Sequence, residues 1–157
     1  MRENTILLDD TDWRILEILQ ENARATFTEI GLSVGLTSPA VRERIRRMEE
    51  VGLITGYRPV ISYGVLGRQI RALIALKFKS GSRAAQSPEF SPLEPLSDIP
   101  GVVRAWLVTG DTECFVEAAV PTMKALDGIL VKLHDFGFLT VTYMILDDTG
   151  EKRCRQL

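Results

Sequence analysis

The stretch from Leu36 to Gly56 constrains the fold of this chain more than any other part of the sequence. Thr37 and Ser38 suit the cap of a helix, and Pro39 suits its first turn, where a missing N–H group has no helical partner to lose. Three apolar residues then recur at helical spacing and predict one buried stripe: Val41, Ile45 and Met48. The spacing therefore predicts a helix with one face inside the protein.

The opposite face of this predicted helix is rich in arginine. The segment from Arg42 to Arg47 carries four arginines and one glutamate, a net charge of +3. The side chains directed away from the buried stripe are Arg42, Glu43, Arg46 and Arg47. Arg44 lies at the edge of the stripe, where it either pairs with an acid such as Glu29 or Glu49 or stays free. On composition alone this is a solvated face; the alternative is a helix that enters the DNA major groove, which the flanking sequence favours.

Composition excludes several classes of protein. The 157 residues suffice for one large or two small domains, and 45% hydrophobic with 25% charged residues is ordinary for a globular protein. No apolar run has the length of a membrane span and the N-terminus lacks the apolar core of a signal peptide, so we expect a cytoplasmic location and no membrane contact. Cys114 and Cys154 lie far apart and outside metal-ligand spacing, so we expect no disulfide framework, no zinc site and no cofactor.

The charge balance limits how the chain could bind nucleic acid. Its net charge is −2, and residues 1–60 alone carry eight arginines and ten carboxylates, which again gives −2. A chain that coats nucleic acid without selectivity would be basic. Any DNA binding must therefore come from one local patch that dimerisation duplicates.

Two shorter helices are predicted before the arginine-rich helix. Acidic residues at positions 9–12 offer N-caps for a first helix that continues to about Asn22. A second helix is predicted to begin at Thr28 and Glu29, and Gly35 is predicted to end it. Three short helices with a glycine-containing turn before the third predict a helix-turn-helix.

The residues that follow the arginine-rich helix are predicted to change structure. Gly52 is expected to end that helix, and the segments Leu53–Arg58 and Pro59–Tyr63 then predict a two-stranded wing or a linker. The expected divisions of the chain are 1–63 for a winged helix-turn-helix DNA-binding domain, 64–69 for a hinge and 70–157 for a second domain.

The N-terminal part contains four linked segments: L-D-D-T-D-W-R-I-L, E-N-A-R-A-T-F-T-E-I, V-G-L-T-S-P-A-V-R-E-R-I-R-R-M-E-E-V-G-L-I-T-G-Y and V-L-G. Together, from Leu8 to Gly67, they resemble the DNA-binding half of the Lrp/AsnC family, the leucine-responsive or feast/famine transcriptional regulators. The resemblance implies operator DNA as a partner, homodimers that can assemble into tetramers to octamers, and an amino acid or related metabolite as effector. Gly31 stands where the family usually has alanine, so we expect a slightly looser second helix.

The pattern changes to strands after residue 69. Four runs predict strands: Ile70–Lys79, Val102–Val108, Cys114–Val120 and Phe138–Leu146. A helix limited by Pro95 can begin at Ser91, and Pro121–Gly137 has helical spacing. The order β-α-β-β-α-β is that of a ferredoxin-like fold, so the chain as a whole is α+β. This half is similar to the effector-binding and oligomerisation domain of the same family, called RAM.

Apolar residues on both faces of the predicted strands argue for self-association. Two alternating sets occur in the second strand: Val103, Ala105 and Leu107, against Val102, Trp106 and Val108. Because two helices cover one face of a four-stranded sheet, the other face needs a partner, most simply a second copy of the chain related by two-fold symmetry. We therefore expect a homodimer.

The predicted DNA contacts follow from the helix-turn-helix. The arginine-rich helix is the second helix of this motif, and its early outward residues contact base edges. We expect this role for Ser38, Pro39, Arg42 and Glu43, and we expect Thr37 to bind DNA beside them. Arg42 suits O6 and N7 of guanine, and Glu43 suits N4 of cytosine. Arg46 and Arg47 lie further along and are expected to hold phosphate, as is Thr28 at the start of the preceding helix.

The segment T-G-D-T-E, Thr109–Glu113, joins two predicted strands and has two interpretations. On spacing alone it is a hairpin turn, in which Gly110 supplies a positive φ and Asp111 closes the loop. The resemblance implies that this hairpin borders an effector pocket at the subunit interface, with the candidate residues Thr109, Gly110, Asp111, Thr112 and Glu113. Asp111 would bind an α-ammonium group, and the amides near Thr109 would bind a carboxylate.

The remaining polar and aromatic candidates have structural interpretations. His134 has no ligand partner nearby in sequence and is expected to be a surface or hydrogen-bonded histidine. Cys114 is expected to be a small apolar residue and not a nucleophile, since no His–Asp arrangement accompanies it. Trp13 and Trp106 are expected to be packing residues, and Trp106 is expected to face a dimer partner.

These observations predict a homo-oligomeric, sequence-specific transcriptional regulator that an amino acid modulates. A small enzyme built on the ferredoxin-like half is disfavoured, because no pair of titratable groups has catalytic spacing, so we expect no catalytic residue. The alternative that stays open is an effector-independent architectural DNA-binding protein of the same fold. It follows from Thr112 and Cys114, which are small where the family is often aromatic.

Overall fold

The computed structural model describes residues 7–79 and 93–147. The chain divides into two compact units, and the division falls between Val60 and Ile61. The expected boundary after residue 63 lies three residues from this division; the hinge at 64–69 stays a prediction. Cys154 and the helix start predicted at Ser91 lie outside the described residues.

Three helices form the N-terminal unit: α1 (Asp10–Glu21), α2 (Phe27–Val34) and α3 (Ser38–Glu50). They share a core of apolar side chains that are at most 3% exposed: Ile15, Ile30, Val41, Ile45 and Met48. The stripe predicted on the arginine-rich helix is thus confirmed, and it fixes which face of α3 is left for solvent.

Capping explains where the first two helices begin. Asp9 caps α1 and forms a capping box with Asp12, in which each side chain accepts from the other residue's N–H. Thr26 caps α2 in the same way with Glu29. The predicted start of α2 at Thr28 is wrong, and the helix begins one residue earlier because Thr26 supplies the cap.

Two glycines form the turn between α2 and α3. Gly35 ends α2 with a φ of 72°, in the left-handed region that favours glycine. Gly31 lies against the turn, where a Cβ atom would be 2.4 Å from the carbonyl oxygen of Leu36. The N–H of Leu36 also donates to the carbonyl of Gly31 at 2.9 Å. Gly31 therefore permits a close contact between α2 and the turn. The sequence predicted only that Gly31 loosens α2 and did not predict this contact.

The predicted two-stranded wing is wrong, since residues 51–69 contain no strand. Gly52 ends α3 as predicted, with a φ of 76°. The N–H groups of Leu53 and Ile54 then both donate to the carbonyl of Met48, at 2.9 and 3.1 Å. These two N–H groups bond to a carbonyl oxygen in the last turn of α3 and are therefore not available to a neighbouring strand. The segment is a linker, which was the other interpretation of its sequence.

A four-stranded sheet and two helices form the C-terminal unit. The elements in chain order are β1 (Ile70–Phe78), α4 (Leu93–Ser97), β2 (Val102–Leu107), β3 (Cys114–Val120), α5 (Met123–Asp135) and β4 (Phe138–Met144). The strands lie in the order β2-β3-β1-β4, and neighbouring strands are antiparallel. The predicted ferredoxin-like arrangement is confirmed, with β4 ending at Met144 and not at Leu146.

The two faces of this sheet differ in burial. One face packs against α4 and α5 in a core that includes Ile74, Leu76, Leu96, Val116, Leu126, Ile129 and Phe138. On the opposite face, Trp106, Phe115, Ala75 and Val141 form one row across the four strands. Val141 is 56% exposed, and its β4 neighbours Leu139 and Tyr143 are 53% and 55% exposed. We call this surface the open sheet face, defined by Trp106, Phe115, Leu139, Val141 and Tyr143.

Candidate nucleic-acid interface

The buried stripe of α3 leaves its arginine-rich face exposed. Arg42, Glu43 and Arg46 are exposed, and so are Thr37 and Pro39 at the start of the helix. Thr37 occupies the N-cap position, but its side chain makes no capping hydrogen bond. The structure therefore brings the predicted base-contacting residues together on one surface.

Four charged residues join α1 to α3, and we call them the Asp12 cluster: Asp9, Asp12, Arg44 and Arg47. Nη1 of Arg44 donates to Oδ1 of Asp12 and to Oδ2 of Asp9, each at 2.7 Å. Nη2 of Arg47 donates to Oδ2 of Asp12 at 2.9 Å. The side chain of Asp12 has no exposed surface. The hydrogen bonds to Asp12 and Asp9 raise the pKa of Arg44, so its charge is held firmly.

The Asp12 cluster corrects the predicted partners of Arg44 and gives Arg47 a partner within the protein. Arg44 is structural, but its partners are Asp9 and Asp12 and not Glu29 or Glu49. The reason is that the edge of α3 that carries Arg44 faces the start of α1. Arg47, which is predicted to hold DNA phosphate, also bonds to Asp12 through one of its nitrogens, although 49% of its side chain is exposed.

Arg46 is also held by carboxylates. Its Nε and Nη2 donate to Glu43, with Nε 3.1 Å from Oε2, and its Nη1 donates to Glu50 at 2.6 Å. The hydrogen bond from Arg46 lowers the pKa of Glu43. The carboxylate that was expected to accept from cytosine is thus engaged by its neighbour on the same helix.

Arg42 has a different kind of partner. Its Cζ lies 5.3 Å from the centroid of the Phe27 ring, within the range of a cation–π contact. Arg42 forms no ion pair with any residue in 7–79 or 93–147, which distinguishes it from Arg44, Arg46 and Arg47.

The starts of α2 and α3 meet through two hydroxyl groups. The Oγ1 of Thr28 and the Oγ of Ser38 lie 3.1 Å apart. Each hydroxyl sits in the first turn of a helix, where free N–H groups and the helix dipole favour an anion. The structure thus places the predicted phosphate contact beside a predicted base contact.

A groove of about 420 Å³ lies beside this face of α3. Its lining includes Arg24, Phe27, Arg42, Arg46 and Tyr57. Burial and a hydrogen bond of 2.8 Å to Glu49 raise the pKa of Tyr57 to about 12, so the phenol stays protonated as a donor. Arg24 adds an exposed cation to the edge of the groove that the sequence interpretation did not single out.

The second predicted site, at 109–113, connects β2 and β3 as a hairpin turn. Gly110 has a φ of 121°, and Asp111 is exposed. The carboxylate of Glu113 accepts from the N–H of Phe78 at 3.3 Å, and its own N–H donates to Leu76 at 3.0 Å. Thr109 is exposed and Thr112 half-buried. Glu113 therefore supports the hairpin through the neighbouring strand, while the other four residues surround its tip.

The remaining candidates have local partners or are buried. Cys114 is fully buried in the core of the sheet, and burial raises the pKa of its thiol, which confirms its packing role. Nε2 of His134 lies 3.0 Å from Oγ1 of Thr140, as expected for a hydrogen-bonded surface histidine. Trp13 is half-buried, and Trp106 is 37% exposed on the open sheet face.

Two other kinds of feature do not occur in the described part of the chain. Within 7–79 and 93–147, no group of three or more metal-binding side chains comes together. None of the helices in these ranges is long and apolar enough to cross a membrane.

Comparison with known proteins agrees with this geometry. Residues 8–49 match the AsnC-type helix-turn-helix domain. The chain is 38% identical over 127 residues to the HTH-type transcriptional regulator Rv2324 of Mycobacterium tuberculosis, a match that spans 81% of this chain and 82% of that protein. The chain belongs to the Lrp/AsnC family of transcriptional regulators.

Two further relatives of this Lrp/AsnC chain are similar to it over both the N-terminal and the C-terminal unit. It is 28% identical over 127 residues to the leucine-responsive regulatory protein of Rhizobium meliloti, with 80% of this chain and 78% of that protein covered. The solved feast or famine regulatory protein Rv3291c from M. tuberculosis, complexed with L-methionine, is 26% identical. It superposes with a TM-score of 0.84 over 95% of this chain and 99% of that chain.

Sequence reasoning missed several residues that shape this Lrp/AsnC interface. Asp9 and Asp12 were interpreted as caps of α1, and nothing in their sequence signals a bond to arginines 32 to 35 residues away. Phe27 lies before the predicted start of the second helix at Thr28 and was not among the predicted site residues. The signal that could have found them is the order of the three helices, since a helix-turn-helix packs α1 against α3.

Proposed function

We propose that this Lrp/AsnC regulator binds operator DNA sequence-specifically through the outward face of α3, in the cytoplasm. The observation that carries the proposal is the environment of Arg42, which lies exposed near the start of α3, in a cation–π contact with Phe27 instead of an ion pair with a carboxylate of the described residues. Its N–H donors are therefore available for O6 and N7 of a guanine. Thr37, Ser38 and Pro39 lie at the same end of the helix.

The other predicted residues take supporting parts in this proposal. The hydroxyls of Thr28 and Ser38 sit side by side and would contact one phosphate together. Arg46 would hold phosphate while Glu43 keeps its guanidinium in place. Arg47 would hold phosphate with the donors that Asp12 leaves free.

A homodimer is the second part of the proposal. The open sheet face carries apolar side chains that are more than half exposed: Leu139, Val141 and Tyr143. An exposed apolar patch with a polar surround is typical of an interface between proteins. A second copy, with its own open sheet face related by two-fold symmetry, would cover this patch and present two copies of α3 to a duplex. Assembly beyond a dimer would use other surfaces.

An effector is the third part. The related M. tuberculosis protein in complex with L-methionine supports an amino acid as the class of ligand. In this chain the exposed hairpin residues Thr109, Gly110 and Asp111 offer backbone amides and one carboxylate, which suit the two charges of an amino acid. Binding at an interface would change operator affinity by favouring one assembly of subunits.

The experiment that tests DNA binding is selection of bound sites from random double-stranded DNA with the full chain. We expect enrichment of a palindrome whose half-sites lie about 10 base pairs apart. Gel shifts on that operator and on a scrambled duplex should then show that Arg42→Ala relaxes base preference at a cost of ~1–3 kcal/mol, while Arg47→Ala weakens both duplexes alike. Absence of any enriched sequence, or equal losses for the two variants, would reject the assignment.

The second candidate function is an effector-independent architectural DNA-binding protein. It is favoured by Cys114 and Glu113, since the first is buried in the sheet core and the second is bonded to β1, so neither is free to line a pocket. A thermal-shift screen against the twenty amino acids separates the two functions. A ligand at 100 times its Kd should stabilise the chain by about 2.7 kcal/mol. If no amino acid shifts the melting temperature, operator affinity or oligomer mass, the effector part is removed and the architectural function stands.

A further inference from the structure

The contact between Arg42 and Phe27 joins the two helices of the helix-turn-helix. Phe27 is the first residue of α2 and is partly buried against the core that includes Ile15 and Ile30. Arg42 is exposed on α3, with its Cζ 5.3 Å from the ring centroid. The ring is therefore anchored in the fold, while the guanidinium that lies over it is open to solvent.

The chemistry of this contact differs from that of the other arginines of α3. A carboxylate bonds to guanidinium N–H groups and uses up the donors that a base would need. An aromatic ring interacts with the flat face of a guanidinium and leaves the N–H groups, which lie in the plane, free to donate. Arg44, Arg46 and Arg47 have carboxylate partners, so Arg42 is the arginine of α3 whose orientation is restrained without loss of donors.

Restraint matters for base recognition because a bidentate contact needs two parallel N–H groups at a fixed angle. A free arginine side chain loses rotamer entropy of order 1–2 kcal/mol when it is ordered. A platform that orders the side chain before binding reduces that loss and favours the geometry of guanine over other bases. The adjoining groove keeps one side of the Arg42 and Phe27 pair open.

We propose that Phe27 is a specificity-determining positioning residue, whose ring holds the guanidinium of Arg42 in the orientation that contacts a guanine. Phe27 itself does not touch the base. The proposal rests on the proposed function, because it requires sequence-specific binding through Arg42.

The test uses the full chain and the operator selected from random DNA, with each G·C pair of a half-site replaced in turn. The base pair that depends on Arg42 is the one at which Arg42→Ala loses discrimination, by about 5- to 100-fold. At that pair Phe27→Leu, which keeps an apolar side chain, should lower discrimination by about 2- to 5-fold, the worth of an exposed cation–π contact. Phe27→Tyr, which keeps the ring, should leave discrimination unchanged.

Two controls separate positioning from a general effect on the fold. In the Arg42→Ala background, Phe27→Leu should cause no further loss of discrimination, because the two residues act as a unit. Arg24→Ala removes another cation of the same groove and should weaken the operator and a scrambled duplex equally. Thermal melts establish that each variant is folded.

Three results would overturn the inference: equal discrimination by Phe27→Leu and the unchanged chain, loss with Phe27→Tyr as large as with Phe27→Leu, or a Phe27→Leu effect that persists without Arg42. Failure of the proposed function is distinguishable, since it shows as no enriched operator before any Phe27 variant is measured.

Discussion

Nη2 of Arg47 on α3 donates to Oδ2 of Asp12 on α1 at 2.9 Å, and the side chain of Asp12 is fully buried while that of Arg47 is half exposed. Arg44 occupies the other oxygen of the same carboxylate at 2.7 Å. A buried carboxylate is tolerated as a charge when cations and hydrogen bonds satisfy it. The helix α3 is thus held against α1 by the same arginine-rich segment that is proposed to meet DNA.

Asp12→Asn should destabilise the N-terminal unit by about 1–3 kcal/mol, the worth of hydrogen bonds to a charged group, because it removes the negative charge between Arg44 and Arg47. Urea unfolding followed by circular dichroism measures the loss. Asp10→Asn is the matched control, since Asp10 is exposed in the same helical turn and should change stability by less than about 0.5 kcal/mol. Equal effects of the two variants would show that the Asp12 cluster adds no stability.

Gly31→Ala should destabilise the chain by about 1–3 kcal/mol, because the new Cβ would lie 2.4 Å from the carbonyl oxygen of Leu36 and the turn would have to move. Gly128→Ala on α5 is the control, since a Cβ atom added there would have no neighbour within 4 Å. It should stabilise by about 0.5–1 kcal/mol through helix propensity. Both free energies come from urea unfolding, and a neutral Gly31→Ala would show that the turn adapts without cost.

Val141→Asp should convert the proposed dimer into monomers, since it places a charge among the exposed apolar side chains that β4 contributes to the open sheet face. Val141 is 56% exposed, so the substitution costs the single chain little. Val131→Asp on α5 is matched in residue type and is 58% exposed, and it should leave the dimer intact. Sedimentation equilibrium gives the masses. A dimer that survives Val141→Asp places the interface elsewhere.

The pH dependence of stability follows from acidic groups with lowered pKa values. A backbone hydrogen bond from Asp12, together with Arg44, lowers the pKa of Asp9, and hydrogen bonds from Thr26 lower the pKa of Glu29. In the folded chain the pKa of each group lies below its value of about 4 in the unfolded chain. Each group therefore adds to the free energy of unfolding above about pH 4. This contribution is lost as the pH falls through the lower pKa of the folded chain.

The urea midpoint should therefore be flat from pH 7 to about pH 5 and should fall below about pH 4. Glu29→Gln should lower the midpoint at neutral pH and make the decline in acid shallower, because one of the titrating groups is gone. An identical slope in the variant would mean that Glu29 contributes nothing to the acid sensitivity.

Features that depend on local spacing could be predicted from the sequence. The buried stripe Val41, Ile45 and Met48 follows from a period of 3.6 residues, and β3 spans Cys114–Val120 as predicted. The prediction of a wing was wrong because a β-rich composition at 53–63 does not show where the backbone N–H groups bond. Those of Leu53 and Ile54 donate to a carbonyl of α3.

Features that depend on distant residues could not be predicted. The partners of Arg44 lie 32 and 35 residues away on α1, and no pattern within α3 points to them. The predicted partners of Arg44 were acids closer in sequence, Glu29 and Glu49. Arg46, for which no acid was predicted, bonds to Glu43 and Glu50 on its own helix. The predicted DNA and effector residues stay predictions that the experiments above test.

The hydrogen bond from Phe78 to Glu113 ties the tip-proximal end of the β2–β3 hairpin to the last residue of the central strand β1. A ligand that bound the hairpin and shifted it would therefore also shift β1. β1 lies between β3 and β4, and β4 supplies Leu139, Val141 and Tyr143 to the open sheet face. The hairpin is therefore connected through β1 to the surface where a second subunit would sit. A displacement of the hairpin would reach that surface through two neighbouring strands.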